Sequence, residues 1–319
     1  MPTALITGVS GQDGSYLAEF LLSKDYEVIG TTRDARRALE RPYARALARV
    51  DLVEVTENPG IPVLVSLIED RKPDEIYHLG GPSRVSTSWN DPTGTMVGIV
   101  LPVGRMIEVL LEMLPAPRLF VAGSSEVFAA QDHAQDESAP HDPQSPYAVA
   151  KNDAADIVRR ARDYGLYATT GILYNHESPR RGADFVTGKI ARAAARISKG
   201  LEREVRLGNI ENRRDWGFAG DYVRAMWLMQ FQEEPEDLVI GTGIAHSVAE
   251  FCEVAFRRVG LDWKNHVVSD PSLLRPTDAP LRLANPARAK SRLGWTPEVN
   301  FEQLVEMMVE AELEEAGRE

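Results

Sequence analysis

The stretch ALIT (4–7), GVSGQDG (8–14) and SYLAEFLLSKDY (15–26) decides the fold. Ala4 to Thr7 is a short apolar run that ends in glycine, the pattern of a first strand buried in a parallel sheet. Gly8, Gly11 and Gly14 let the backbone turn tightly and approach a pyrophosphate. The helix that follows aims its N-terminal amides at the same group, with Gln12 and Asp13 carried at its start. A glycine triplet alone is weak evidence, but placed between a strand and a helix it has the context that dinucleotide binding requires.

Working outward, EVIGTT (27–32) reads as the second strand, whose end selects the cofactor. An acidic residue there binds the ribose 2′-hydroxyl of NAD, whereas arginine suits the 2′-phosphate of NADP. This chain carries Thr32 and Arg33, with Arg36 and Arg37 close behind, and reads as NADP-dependent; Asp34 is the competing sign. Residues 35–50 read as helical, 52–55 as a weak third strand with Glu57 able to meet the adenine edge, and 62–71 as a helix. Residues 75–79 form a fourth strand that delivers Leu79, Gly80, Pro82 and Ser83 to the carboxyl end of the sheet, where open parallel sheets hold ligands. Residues 94–114 are apolar on more than one face, as in a buried helix or a subunit interface. Strands at 118–122 and 167–173 complete five or six strands alternating with helices, a doubly wound parallel α/β sheet of the Rossmann type.

The fifth strand runs into GSSEVF (123–128), which holds Ser124 and Glu126. The following helix, 145–163, starts with Ser145 as cap and Pro146 in its first turn. It carries Tyr147 and Lys151, four positions and one helical turn apart. An ammonium beside a phenol favours phenolate and lowers the tyrosine pKa, giving a base usable near neutral pH. Ser124 can hydrogen-bond a substrate hydroxyl, and Glu126 is a second base. Taken alone, Tyr-x-x-x-Lys is common by chance; a nucleotide site in the same chain gives it weight.

The second half changes character, with arginine-bearing loop-like runs at 175–182, 185–189, 205–209, 213–218 and 273–278. Arg214 and Arg275, helped by Lys189, Arg206 and Arg213, can clamp a diphosphate through paired hydrogen bonds. The division expected is an NADP-binding domain over 1–168 with 212–238, and a smaller C-terminal α/β substrate domain over 169–211 with 239–319. With 319 residues, 43% hydrophobic and 26% charged, the composition is that of a soluble globular protein. A net charge of −12 argues against nucleic acid and anionic membrane as partners. No apolar run approaches the roughly 20 residues of a bilayer span, and the start has no signal-peptide layout. The single cysteine excludes an intrachain disulfide, and no metal is expected from six unpaired histidines. The chain is expected to be cytoplasmic.

Together, GVSGQDGSYLAEFLL, SSE, SPYAVAK, NHESPRRG with FVT, RLGN, RRDWG, DYVRAMWLM, RPTD and LGW resemble the extended short-chain dehydrogenase/reductase family, and within it the GDP-mannose 4,6-dehydratases. The likeness runs nearly end to end. It implies that Lys151 keeps Tyr147 as phenolate and that Ser124 shares a hydrogen bond with the sugar 4-hydroxyl. Tyr147 then removes that proton as hydride passes from C4 to NADP. Glu126 takes the C5 proton, water leaves from C6, and the hydride returns there. It also implies that His176 and Arg181 contact the cofactor, that Asn175, Lys189, Arg214 and Arg275 contact the nucleotide sugar with Asp278 beside them, and that Ser83 lies between the two. Homodimers on the helices matching 94–114 and 145–163, often paired into tetramers, are a further implication. The chain departs from the family pattern at Ser124 (usually Thr), Pro82 (usually Gln), Gly188 (usually Arg), Glu57 (usually Asp) and in Asp-Ala-Arg after Arg33. Dehydration of GDP-mannose or a GDP-heptose stands first. A GDP-4-keto-6-deoxy-sugar reductase or epimerase is the second reading, and a non-catalytic NADP sensor is the third.

Overall fold

The computed structural model describes residues 1–41, 43–56, 60–274 and 279–318. The chain opens with β1 (Thr3–Thr7), α1 (Gln12–Ser23), β2 (Glu27–Thr32), α2 (Ala35–Leu39), α3 (Ala44–Leu47), β3 (Asp51–Glu54), α4 (Ile61–Arg71) and β4 (Glu75–His78). It continues through α5 (Val85–Ser88), α6 (Pro92–Leu111), β5 (Arg118–Ala122), α7 (Pro146–Asp163) and β6 (Ala168–Leu173). Then follow β7 (Asn175–Glu177), α8 (Val186–Ser198), β8 (Val205–Leu207), β9 (Arg213–Phe218), α9 (Ala219–Met229), β10 (Leu238–Ile240) and β11 (Ala245–Ser247). The last elements are α10 (Val248–Arg258), β12 (Val267–Ser269), β13 (Leu281–Arg282), α11 (Ala287–Leu293) and α12 (Phe301–Ala316).

Among the described residues, seven strands form one parallel sheet in the order β10-β6-β5-β4-β1-β2-β3. The order reverses between β1 and β4, so the crevice for a ligand opens at the carboxyl ends of those two strands. Alternation along the strands divides the core. Ala4 and Ile6 of β1 face α1 and α9 through Leu17, Leu21, Val223 and Met226. Leu5 faces the other way, onto α4, α6 and α7 through Ile68, Val103 and Ala154. A third cluster joins α8, α10 and α12 around Trp216 of β9, where β9 pairs with β7, β11 and β13.

Two expectations need correction. The 35–50 stretch is two short helices, Ala35–Leu39 and Ala44–Leu47, and not one continuous helix. Helix α6 spans 20 residues and is long and apolar enough, by length and composition alone, to cross a membrane. Its Ile99, Val103, Met106 and Leu110 are buried in the layer against the sheet and α7.

Asp215 ties β9 to its neighbours. Its fully buried carboxylate accepts from the Thr242 amide at 2.8 Å, the Thr242 hydroxyl at 2.7 Å, the Gly243 amide at 2.8 Å and the Ala284 amide at 3.2 Å. Asp215→Ala orphans one buried and three part-buried donors on two loops, a loss of about 2–4 kcal/mol. Urea unfolding should therefore show a clear fall in midpoint at unchanged slope, and a midpoint equal to that of the native chain would disprove this role for Asp215.

Candidate active site

At the reversal point the two loops touch. Gly8 has φ +71°, and a Cβ there would lie 2.9 Å from the Gly80 Cα. A Cβ on Gly14 would lie 2.4 Å from the Gly8 carbonyl oxygen, so only glycine lets α1 start this close to the loop. The cap of α1, Gly11, offers no side-chain hydrogen bond, and the first-turn amides are left for an anion. This cradle fits the pyrophosphate of a dinucleotide. Beneath it, the Thr7 hydroxyl accepts from the Leu79 amide at 3.1 Å and the Gly80 amide at 2.9 Å. With both acceptor positions filled, its one proton goes to His78 Nδ1 at 2.9 Å, which makes His78 the Nε2–H tautomer. Burial, with a smaller contribution from the Lys151 cation, pushes His78 down to about 3.

At the end of β2, one carboxylate oxygen of Asp34 is already engaged. Its carboxylate caps α2, accepting from the Arg37 amide at 2.8 Å. Arg33 is exposed beside it. Arg36 pairs with Glu40 at 3.1 Å in full solvent, a contact of little energetic weight.

At the end of β5 the backbone tightens into a 3₁₀ turn at 125–127. Ser124 caps it, its Oγ accepting from the Glu126 amide at 3.3 Å. Ser145 caps α7 by accepting from the Ala148 amide at 3.1 Å, which sets Tyr147 in the first turn facing that site. The expected lowering of Tyr147 by Lys151 is corrected here. Burial pushes Tyr147 up to about 12, while the Ser124 hydrogen bond pulls the other way. Lys151 Nζ donates to the Ala122 carbonyl at 2.7 Å and stands 5.8 Å from the Tyr147 ring centre. Burial lowers Lys151 to about 8. Glu126 reaches into the cleft with its side chain 28% exposed, 3.5 Å from Arg282.

The 175–181 segment joins this cleft to α1. His176 Nε2 meets Asp13 at 2.9 Å and its ring stacks on Tyr222 with centres 4.6 Å apart. Gln12 donates to the His176 carbonyl at 3.0 Å and accepts from Ser178 at 2.8 Å. Arg181 pairs with buried Glu177 at 2.6 Å and donates to the His176 carbonyl. Arg180 lies between Tyr16 and Tyr43, 3.8 and 4.8 Å from their ring centres, and grips Glu19 with bonds of 2.6 and 2.7 Å. Burial works against charge on both members of the Asp13–His176 pair. Their mutual attraction outweighs it, holding Asp13 down at about 2 and His176 above its ordinary value.

The substrate-side residues fall in two groups. Lys189 Nζ donates to the Arg206 carbonyl at 2.6 Å, and both line a cavity of about 370 Å³ with Arg192 and Glu204. Arg214 lies on β9, in register with His246 and Arg282, and Asn175 is opposite Trp216 on β7. Ser83 is exposed at the edge of the cleft. Glu57, Arg275 and Asp278 lie outside the described residues. Gly188 has a packing cause: a Cβ would sit 2.5 Å from the Gly182 carbonyl oxygen, so α8 closes directly on the 181–182 turn. Sequence reading missed Thr7, His78, Arg180 and Arg282. His78 lies inside an apolar strand, and Arg282 comes to Glu126 from a position 156 residues away in the chain, so neither spacing nor periodicity marks them.

Residues 5–308 match the family model described as GDP-mannose 4,6 dehydratase. GDP-mannose 4,6 dehydratase 1 of Arabidopsis thaliana is 44% identical over 331 residues, covering 99% of this chain and 91% of that protein. The GDP-mannose 4,6 dehydratase of Homo sapiens is 40% identical, covering 98% and 91%; that of Vibrio cholerae is 39% identical, covering 99% and 95%. In shape, the UDP-glucose 4-epimerase of Thermotoga maritima solved with UDP-glucose superposes with a TM-score of 0.86 at 22% identity, over 99% of this chain and 100% of that one. RMD from Pseudomonas aeruginosa complexed with NADPH gives 0.82 at 19% identity, over 99% and 100%. At such identities these structures establish the shared fold.

The Asp13–His176 pair sets a pH window. A lowered Asp contributes stability present above its ordinary 3.8 and lost as pH falls toward about 2. A raised His contributes stability present below its ordinary 6.5 and lost as pH rises through its folded value. The stability gap between the native chain and Asp13→Asn should therefore be widest between pH 3.8 and 6.5 and shrink above it. A gap independent of pH, measured by thermal unfolding across this range, would sink the assignment.

Proposed function

The chain belongs to the GDP-mannose 4,6-dehydratase family, and from that premise we propose that it converts GDP-mannose to GDP-4-keto-6-deoxymannose with bound NADP. The observation that carries the reading is the second base. Glu126 shares one turn with Ser124, opposite Tyr147, and its charge is felt at that phenol. A simple dehydrogenase has no use for it; an elimination does. Ser124 and Tyr147 hold the sugar 4-hydroxyl and accept its proton. Lys151, anchored on Ala122, keeps a cation near the site at neutral pH. A nicotinamide cofactor held on the Gly8–Gly14 cradle would supply a hydride acceptor for C4 and a hydride donor for C6, and its oxidised ring would add a positive charge that favours the Tyr147 phenolate. Glu126 removes the C5 proton, made acidic by the new C4 ketone, and delivers it to the departing C6 hydroxyl as water. The cofactor ends as it began.

The cofactor cradle is Gly8, Gly11, Gly14 and Gly80, flanked by Gln12 and Leu79. NADP is favoured over NAD because Asp34 spends its carboxylate on capping α2 while Arg33 is exposed beside it. Lys189, Arg206, Arg214 and Asn175 are the described candidates for the nucleotide sugar, with Arg275 and Asp278 assigned by sequence. Val97, Leu101 and Leu111 on α6 and Val149 on α7 are exposed apolar side chains that support a homodimer through these helices. Cytoplasmic placement is part of the same reading.

Incubation with GDP-mannose and no added cofactor should give a product lighter by one water; unchanged mass even with NADP added would overturn the reading. Glu126→Gln should keep cofactor binding and lose about 100-fold or more in turnover, while near-native turnover would remove its role. Arg33→Ala should weaken NADP binding about 10-fold or more and leave NAD nearly unchanged; an equal effect on both would remove the cofactor argument.

A further inference from the structure

Arg282 is a cation in the wrong place for a packing residue. It lies on the two-residue strand β13, beside β9, and is 5% exposed. A buried guanidinium is costly unless it is paired and hydrogen-bonded. Its Nη1 donates to the Phe128 carbonyl at 2.8 Å, and its Nη2 stands 3.5 Å from Glu126 Oε2. These contacts bracket the 3₁₀ turn at 125–127, gripping the carbonyl just past its end and the carboxylate it presents. Nothing in a turn that Ser124 already caps requires a buried cation. A carboxylate that must hold one direction in a cleft does.

We infer that Arg282 is the positioning residue for Glu126: its guanidinium holds Oε2 and leaves Oε1 directed at the substrate carbon that loses a proton. This rests on the dehydratase reading and deepens it. In the step concerned, the C5–H bond breaks, its proton goes to Glu126, and its electron pair moves into the C4 carbonyl as an enolate. The enolate then expels the C6 hydroxyl, which takes the proton from Glu126 and leaves as water. The first half of the reaction, oxidation at C4, involves Ser124, Tyr147 and Lys151 and not Arg282. The contact distance suits this division of labour. At 3.5 Å the charge orients the carboxylate without the short bidentate bond that would occupy both of its oxygens. The second anchor, at Phe128, keeps the guanidinium from following Glu126 when the carboxylate moves.

The test compares the native chain, Arg282→Gln and Arg282→Lys with GDP-mannose in deuterated water. Arg282→Gln should lower kcat about 10- to 100-fold at little-changed KM. It should slow deuterium entry at C5 by the same factor and let reduced cofactor accumulate at 340 nm, because oxidation at C4 still proceeds. Arg282→Lys should recover part of the loss. A kcat and a C5 exchange rate within twofold of native overturn the inference, as does an equal slowing of cofactor reduction, which is the signature of a general structural defect. A native chain that dehydrates nothing overturns the dehydratase reading instead. The pairing itself is then read without activity, by a double-mutant cycle of Arg282→Gln and Glu126→Gln in urea. Non-additive losses support the coupling and additive losses sink it.

Discussion

The constraint on which this molecule depends is the close approach of two backbone turns at the centre of the sheet. Gly8 follows β1, Gly80 follows β4, and no side chain fits between them. The Thr7 hydroxyl then locks both turns to one another by accepting two amides of the second. That contact fixes the two glycine turns relative to the start of α1. It also fixes the depth at which β5, the next strand over, delivers Ser124 and Glu126.

Charge does a second kind of work, at the seam between the large sheet and the segments that follow β6. The exposed pairs, such as Arg36–Glu40 and Arg71–Asp51, are screened by water and carry little energy. The half-buried ones are arranged as a latch. Arg180 stacks on two tyrosines while gripping Glu19, and His176 sits between Asp13 and Tyr222. Removing one partner from such a pair leaves the other desolvated and uncompensated, so their weight lies in geometry more than in net stability. The latch holds the start of α1, the anion-binding end, against the strand that follows β6. Cofactor cradle and substrate side are therefore mechanically one unit.

Tyr147 shows how placement can reverse an argument from spacing. Lys151 stands four positions on, which in sequence promises an ammonium beside a phenol. In the fold the ammonium is drawn to the Ala122 carbonyl and the phenol is buried against Ser124, so desolvation dominates. Burial, not the ammonium, sets the direction in which the Tyr147 pKa moves. Asp34 reverses in the other direction. As a residue type at the end of β2 it competes for the NAD reading, but one of its carboxylate oxygens accepts from the Arg37 amide of α2.

The sequence by itself determined the parallel sheet, the glycine cradle and the cluster of Ser124, Glu126, Tyr147 and Lys151. Each depends on local pattern: strand–glycine–helix order, a helical turn of spacing, a cap before a proline. Local steric rules and helix geometry act over a few residues, so they are legible in a string. Only the tertiary structure decided which charges meet. Arg282 with Glu126, Arg180 with Glu19 and His176 with Asp13 come from distant parts of the chain, and the loop against Gly188 closes on backbone rather than on a side chain. Such pairings follow from how the strands are ordered and how deeply each group is desolvated. Both are properties of the packed whole, which no short window of residues contains.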